Sequence, residues 1–325
     1  MKLYLFEPYD VLTFGGLRHF GAGESHVQKA EFPPPIMRFF ELFEKVYGVF
    51  LYKDGEFFLP LPFDCIKQRK KVDAKVFRLP YNIPPVIKGE GLISEEGRLL
   101  AFEQIGSGFI KWSDFVKFYL EGAEGNFDVY GLKDFIRKEL RVGIALNKDT
   151  RTSEEGMLYS QDFLRFDCQI GLLAEAPRET LYYNTMGGEK KIAKFVKEVE
   201  PMKELNNSIH IKRDRVYGFY CLSHLFVDGG LEVGKEIKIC GLKFKVEWYF
   251  GSSEWVSGFA KPFLQMLKPG SLLWLRALEE GGLKRLCQIE SKPPVNNVKG
   301  RIKREWNLDN FLKRGWNCGI LVEVE

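Results

Sequence analysis

The chain lacks the sequence motifs of the commonest metal and nucleotide sites. Its 325 residues include only 4 histidines, and neither His-Glu-x-x-His nor Cys-x-x-Cys occurs. There is also no Gly-x-x-x-x-Gly-Lys-Ser/Thr phosphate loop, no complete dinucleotide fingerprint and no Gly-x-Ser-x-Gly nucleophile elbow. These absences count against metal-dependent hydrolysis, nucleotide cofactors and serine-nucleophile chemistry, and we expect no bound metal and no cofactor.

Long apolar runs and paired cysteines are missing as well. No stretch approaches the ~20 apolar residues that span a bilayer, and Glu7 and Asp10 interrupt the start of the chain before a signal peptide could form. The 6 cysteines stand far apart, which favours buried free thiols over disulfides or zinc ligands. The sequence predicts a cytoplasmic protein without membrane contact.

The composition is that of a folded chain long enough for two domains. Hydrophobic residues make up 45% and charged residues 28% of the sequence. The 28 phenylalanines can fill cores or offer faces on which nucleobases stack. A net charge of +4 is too small to identify a nucleic-acid partner by itself, but basic residues cluster at 67–78 and 299–314. Each cluster suits either a solvated face or an anion-binding surface.

The apolar patterns predict an α+β fold built from two tandem ferredoxin-like domains with insertions. In the first half we predict strands at 2–14, 141–147, 157–166, 168–174 and 192–199, and helices at 36–48 and 179–183. In the second half we predict strands at 216–227, 240–249, 271–278 and 319–325, and a short helix at 308–314. The predicted domains are residues 1–200, with an inserted region around 55–135, and residues 201–325.

Two polar segments have the residue types that single-stranded RNA readers use. Arg141, Asn147, Arg151 and Tyr159 combine donors for phosphates or base edges with a flat ring, although an ordinary polar hairpin has the same composition. Gly187 and Gly188, expected to follow a helix, would let backbone N–H groups approach a phosphate, with charge added by Lys190 and Lys191. The alternative for this turn is a helix cap followed by solvated lysines. Phe163 and Phe166 are expected in the core.

Three motifs in order resemble a known family. They are Phe6-Glu-Pro-Tyr-Asp10 with Gly21-Ala-Gly23 and Phe32-Pro-Pro-Pro35; Arg141-Val-Gly143 with Thr150-Arg151-Thr152 and Tyr159; and Gly187-Gly188-Glu189-Lys190-Lys191 with Lys261-Pro262 and Lys268-Pro-Gly270. This order resembles the third RAMP subunit of the Cmr complex, the RNA-guided effector of type III-B CRISPR systems. The resemblance covers most of the chain and is strongest from Arg141 to Lys191. One departure is that Lys190 and Lys191 stand where paired arginines are frequent, which keeps charge but loses the bidentate fork.

The resemblance implies a role and a set of RNA-binding residues. It implies a subunit without catalytic activity that takes part in antiviral defence, holds the 5′ repeat-derived handle of the CRISPR RNA at the base of the complex, and contacts the large polymerase-like subunit and the adjoining backbone RAMP subunit. The expected RNA-binding residues are Arg18, His19, Arg141, Asn147, Arg151, Thr152, Tyr159, Gly187, Gly188, Lys190, Lys191 and Lys261.

Two other functions remain open from the sequence. A RAMP endoribonuclease that processes CRISPR precursor RNA would use His19 or His26 of the first loop as general acid or base. A scaffold that binds only proteins would need its basic clusters merely for solubility.

Overall fold

The computed structural model describes most of the chain. The described residues are 1–14, 26–28, 30–68, 76–79, 86–88, 91–93, 99–105, 107–146, 153–188, 190–256, 264–293 and 310–324, with the backbone alone at 26–28, 68, 86–88, 91–93, 99–104, 143–146 and 153–159. Among these residues, no helix has the length and apolar character of a membrane span.

Strands dominate both halves. In the first half they are β1 (Lys2–Pro8), β2 (His26–Gln28), β3 (Val46–Lys53), β4 (Glu56–Pro60), β5 (Cys65–Gln68), β6 (Val76–Arg78), β7 (Val86–Lys88), β8 (Gly91–Ile93), β9 (Leu99–Gln104), β10 (Phe109–Lys111), β11 (Ile136–Leu146), β12 (Ser153–Phe166), β13 (Gln169–Ala174), β14 (Tyr183–Thr185) and β15 (Ile192–Val199). In the second half they are β16 (Ser208–Ile211), β17 (Val216–Cys221), β18 (Glu236–Ile239), β19 (Leu242–Phe250), β20 (Ser253–Val256), β21 (Leu264–Leu267), β22 (Leu272–Ala277), β23 (Gly281–Lys284), β24 (Leu286–Gln288) and β25 (Cys318–Glu323).

Helical structure is short throughout the described residues. One α-helix, α1 (Trp112–Phe115), continues into a π-helical turn (Val116–Leu120). The 3₁₀ turns are Ile36–Phe39, Leu132–Asp134, Lys203–Asn206 and Leu312–Arg314.

Each half contains a sheet with ferredoxin-like strand order. The first sheet runs β10-β4-β3-β13-β1-β15-β14, and its four strands β15-β1-β13-β3 follow the fourth-first-third-second order of that fold, all antiparallel. The second runs β18-β19-β22-β17-β25-β24 and repeats this order as β25-β17-β22-β19. The chain is therefore a tandem pair of ferredoxin-like units with insertions and reduced helices. Because the strands divide between residues 2–199 and 208–323, we propose residue 200 as the domain boundary.

The two sheets pack face to face. Leu3, Leu5 and Phe50 of the first sheet share a buried cluster with Tyr220 and Trp274 of the second. Strand residues alternate in direction, so Tyr4 and Phe6 turn to a separate core on the far side of the first sheet. Burying each such side chain contributes about 1.5–3 kcal/mol, so this apolar contact stabilises the link between the halves.

The inserted region joins the first sheet and adds a second one. Strands β4 and β10 extend the sheet edge, whereas β5 to β9 form a separate five-stranded sheet in the order β6-β5-β9-β8-β7. Arg78, from the first basic cluster, lies over the Tyr119 ring at 4.6 Å and contacts fully buried Asp64 at 3.4 Å. Its guanidinium also donates to the carbonyl of Glu323 at 3.4 Å. Arg78 is therefore a structural link and not part of a solvated or anion-binding face.

The helix predicted at 36–48 is wrong. Residues 36–39 form only a 3₁₀ turn, and β3 begins at Val46. The apolar residues fit helical spacing, but the run from Val46 onward is rich in β-branched and aromatic side chains that pair with β13. Gly48, expected as a helix cap, lies inside this strand, where a Cβ atom would come within 3.2 Å of the Leu222 side chain.

The helix predicted at 179–183 is also wrong, because Tyr183–Thr185 is the edge strand β14. The first strand ends at Pro8 and not at 14, with Leu12 forming an isolated bridge to Leu164. The strand predicted at 216–227 is shorter than expected, because β17 ends at Cys221. The remaining strand predictions are confirmed, as β11, β12, β13, β15, β19, β22 and β25. The helix predicted at 308–314 is reduced, within the described residues, to the 3₁₀ turn Leu312–Arg314.

All 6 cysteines are free thiols. Cys65, Cys221, Cys287 and Cys318 are buried as expected, and Cys168 is half-buried. Cys240 is exposed, so the expectation of burial is wrong at that position.

Candidate nucleic-acid interface

A long hairpin carries the first predicted segment. β11 and β12 pair antiparallel, with Glu139 opposite Phe163 and Arg141 opposite Gln161. The backbone of Tyr159 pairs with Gly143 on β11 and with His26 on β2, which runs parallel to β12. Diagonal neighbours on one face of a hairpin lie within side-chain reach, so Arg141 meets Phe163.

Arg141 is held over an aromatic ring at the protein surface. Its guanidinium carbon lies 4.8 Å from the centroid of the Phe163 ring, which is only 3% exposed. The Arg141 side chain itself remains 41% exposed, and its NH2 group lies 3.7 Å from carboxylate oxygens of both Asp10 and Glu139. At this distance and exposure each pairing contributes only ~0–1 kcal/mol, so an incoming phosphate can compete for the guanidinium.

The second predicted segment is the turn between β14 and β15. The N–H of Met186 donates to the carbonyl of Lys191 at 2.7 Å and closes the turn. Lys190 is exposed and adopts a left-handed φ of 52°. Lys191 folds back so that its Nζ atom lies 5.5 Å from the centroid of the same Phe163 ring. One turn therefore presents one lysine to solvent and brings the next beside Arg141.

The glycine pair packs against the chain and does not follow a helix, contrary to expectation. Gly187 has a φ of 78°, and a Cβ atom there would lie 2.5 Å from the carbonyl oxygen of Thr13. The N–H of Gly188 donates to that same carbonyl at 2.7 Å. The Gly188 amide is thus used inside the protein, and Lys190 and Lys191 supply positive charge at this turn.

The segment after β1 joins the hairpin to the turn. Leu12 and Leu164 exchange backbone hydrogen bonds of 2.9 and 2.7 Å. The side-chain amide of Gln161 donates to the hydroxyl of Thr13 at 2.7 Å, and the carbonyl of Thr13 receives Gly188. This rigid connection brings residues 141 and 191, which are far apart in sequence, to the same ring.

Acidic side chains position the basic ones. The guanidinium of Arg165 hydrogen-bonds Glu139 and lies 3.2 Å from Asp10. The pKa of Glu139 is lowered, first by the hydrogen bond from Arg165 and then by the charges of Arg165 and Arg141. The pKa of Asp10 is lowered by the N–H of Val11 and then by Arg141, Arg165 and Lys191. The carboxylates of Asp10 and Glu139 thus hold Arg141 and Arg165 in place. Lys190 and Lys191 add positive charge to the same surface.

Most of the other expected RNA-binding residues cannot be placed. Arg18, His19, Asn147, Arg151, Thr152 and Lys261 lie outside the described residues, and Tyr159 is described by its backbone alone. Of the predicted set, Arg141, Gly187, Gly188, Lys190 and Lys191 are brought together, and the binding role of the set stays a prediction.

Sequence reasoning missed Asp10, Glu139 and Arg165 as members of the site. Their signal was present, because Arg137, Glu139 and Arg141 alternate along one strand and Arg165 follows on its partner. The pairing register makes Glu139 and Arg165 diagonal neighbours on the two strands, and this contact cannot be predicted from the alternation alone. Phe163 was expected in the core and is buried, but it also supports both cations from below.

The described residues contain no group of three or more His, Cys, Asp or Glu side chains placed to hold a metal ion. His224 is fully buried and hydrogen-bonds Glu254, whose other oxygen lies 3.1 Å from the Lys268 ammonium. Lys268 in turn donates to Glu31 at 2.8 Å. This network joins the second half of the chain to a loop of the first.

Comparison with solved structures finds similar chains in two cryo-EM structures. One is the Type III-B Cmr-beta bound to cognate target RNA and AMPPnP, state 1, whose chain is 16% identical with a TM-score of 0.46. The other is the Type III-B Cmr-beta bound to cognate target RNA, 16% identical with a TM-score of 0.47. Each match covers 84% of this chain and 86% of the other. No curated protein matches the sequence.

A family model matches more than half of the chain. The match runs over residues 42–217 and is described as CRISPR-associated protein (Cas_Cmr3). The matched range contains β3, the whole β11–β12 hairpin and the turn that carries Lys190 and Lys191. Because this match covers more than half of the chain, the protein is a member of the Cas_Cmr3 family of CRISPR-associated proteins.

Proposed function

We propose that this chain is the third RAMP subunit of a type III-B Cmr effector and holds the 5′ handle of the CRISPR RNA without cleaving it. The observation that carries the proposal is the convergence of Arg141 and Lys191 on Phe163, with Lys190 exposed beside them. A guanidinium half-exposed at a surface can bind phosphate as a fork or stack on an unpaired base.

The geometry favours a short single-stranded segment as the ligand. Arg141 and the two lysines come from a hairpin and a turn tied together through Thr13, so their spacing is fixed before RNA arrives. Preformed positions reduce the ordering cost of binding and allow discrimination between sequences. The repeat-derived handle is a fixed sequence, which suits such a rigid reader.

The same proposal places the chain in an assembly. We propose the large polymerase-like subunit and the adjoining backbone RAMP subunit as its protein partners, with a role in antiviral defence. Support comes from the family, whose members are CRISPR-associated.

The decisive experiment compares RNA sequences on the wild-type chain and on Arg141→Lys. We expect tighter binding of the native handle than of a scrambled RNA of equal length. Arg141→Lys keeps the charge but removes the fork and the stacking plane, so it should weaken handle binding by ~1–3 kcal/mol and leave the scrambled RNA nearly unaffected.

Two results would count against the proposal. Equal affinity of the wild-type chain for both RNAs would reduce the surface to an unspecific phosphate contact. Absence of RNA binding, together with co-purification of sister subunits, would make the chain a scaffold that binds only proteins.

A further inference from the structure

Three tyrosines are exposed together beside the turn that carries Lys190 and Lys191. Tyr9, Tyr182 and Tyr183 are 75%, 66% and 49% exposed. The ring centroids of Tyr9 and Tyr183 lie 6.2 Å apart, and those of Tyr182 and Tyr183 lie 4.7 Å apart. Large side chains exposed as a group, instead of singly, mark interaction sites.

The arrangement of the rings leaves faces open for a flat ligand. Both pairs meet at 82°, edge to face, so the tyrosines do not stack on one another in parallel. Their backbone is fixed, since the N–H of Tyr9 donates to the carbonyl of Ile192 at 3.0 Å and the N–H of Phe195 donates to the carbonyl of Tyr182 at 2.7 Å. Tyr183 therefore projects from β14, and Tyr9 and Tyr182 project from residues directly next to β1 and β14 whose backbone is hydrogen-bonded.

Positive charge accompanies the tyrosines. In the sheet register Lys194 lies between Glu7 on β1 and Tyr183 on β14, and it is exposed. Lys190 is exposed at the end of the same hairpin. Glu7 is paired with Lys194 in the register, so its negative charge offsets that of one lysine. Aromatic faces with flanking lysines are the combination by which single-stranded nucleic acid is bound, through base stacking and phosphate contacts.

The cluster is continuous with the surface proposed to hold the handle. Tyr9 precedes Asp10, which lies 3.7 Å from Arg141, and Tyr183 leads through one turn to Lys191. Nucleotides leaving Arg141 and Lys191 would meet the tyrosines next. Tyrosines are also enriched at protein interfaces, whereas lysines are depleted there, so the exposed Lys190 and Lys194 beside these rings favour RNA as the ligand.

We infer that Tyr9, Tyr182 and Tyr183 form a stacking platform for the bases of single-stranded RNA that continues from the segment bound at Arg141 and Lys191. This inference rests on the proposed function for the path of the RNA, but the stacking itself is independent of sequence, because every base has a π-face.

The test measures binding of a short oligouridine and of an abasic oligoribonucleotide of the same length. Tyr9→Ala/Tyr183→Ala should lose about tenfold or more in affinity for oligouridine and change little for the abasic strand. The salt dependence should stay unchanged, because no phosphate contact is removed. Tyr9→Phe/Tyr183→Phe keeps the rings and should bind like wild type. Tyr249→Ala, a tyrosine 37% exposed on β19, is the matched control.

The outcomes separate this inference from the proposed function. Unchanged oligouridine affinity in the double alanine variant, or an equal loss on the abasic strand, would overturn the platform while leaving handle recognition intact. Equal binding of handle and scrambled RNA by the wild-type chain would overturn handle recognition. The platform would still be tested by comparing the affinities of the variants for oligouridine and for the abasic strand. Retained RNA affinity with loss of sister subunits would assign the tyrosines to a protein contact and overturn the platform.

Discussion

Arg141 and Lys191, which lie in different structural elements, place their cationic groups over the same phenylalanine. The centroid of the Phe163 ring is 4.8 Å from the Arg141 guanidinium carbon and 5.5 Å from Lys191 Nζ. The ring attracts each cation, in addition to the carboxylates of Asp10 and Glu139 that lie beside Arg141. One buried aromatic side chain thereby defines the spacing of the surface that we propose for RNA.

The lysines of the turn should account for part of the salt dependence of RNA binding. Lys190→Ala/Lys191→Ala removes two cations, and each lost phosphate contact lowers the slope of log K against log salt by roughly 0.7 for a single strand. Lys238→Ala/Lys243→Ala, an exposed pair opposite one another on β18 and β19, is the matched control. A slope that falls equally in both variants, or in neither, would remove the turn from the interface.

Gly187→Ala should destabilise the protein more than Gly55→Ala. Both glycines have positive φ, 78° and 86°, so both substitutions strain the backbone. At Gly187 the new Cβ would also meet the Thr13 carbonyl at 2.5 Å, whereas nothing lies within 4 Å of it at Gly55. We expect an additional loss of ~1–3 kcal/mol in the free energy of unfolding, measured by urea denaturation. Equal losses would show that Thr13 does not constrain the turn.

Glu254 should make stability sensitive to acid. Burial raises the pKa of its carboxyl, but the hydrogen bond and charge of His224, with Glu31 and Lys268, outweigh burial and hold the pKa well below the ordinary value of 4.5. A lowered folded-state pKa contributes stability above 4.5 that is lost as the pH falls below that value. Unfolding measured against pH should show this loss in wild type and a smaller one in Glu254→Gln. The same acid dependence in both proteins would contradict the role of Glu254.

In the second half four strands of the sheet could be predicted, because β17, β22 and β25 are short apolar runs and β19 alternates. The first half was harder at residues 36–48, where apolar spacing fits a helix as well as a turn followed by a buried strand. Val49 and Leu51 pair with β13, and this pairing favours the strand over the helix. A local sequence pattern cannot predict it, because the two strands are far apart in sequence.

The candidate site shows the same division. Residue type predicted Arg141 and Lys191 as candidate binding groups, and the structure brings them to one ring. The use of the Gly188 amide by Thr13, and the pairing of Glu139 with Arg165, depend on contacts between distant segments. The tyrosine cluster escaped notice because Tyr9 and Tyr183 are brought together only by strands β14, β15 and β1.

The chain should have no nuclease activity. Its sequence has no recognisable acid–base constellation, and the cations gathered at Phe163, Arg141 and Lys191, are of the type that we propose for binding phosphate. Labelled repeat RNA incubated with the purified protein, with and without divalent metal, should remain intact. Metal-independent cleavage that disappears in His19→Ala or His26→Ala would support a processing endoribonuclease instead.

The most direct test of the central claim is photo-crosslinking of handle RNA that carries 4-thiouridine, followed by mapping of the crosslinked peptides. The account predicts crosslinks in peptides containing residues 9–14, 136–166 or 183–194, and their loss in competition with unlabelled handle but not with scrambled RNA. Crosslinks confined to the second sheet, between residues 216 and 323, would contradict it.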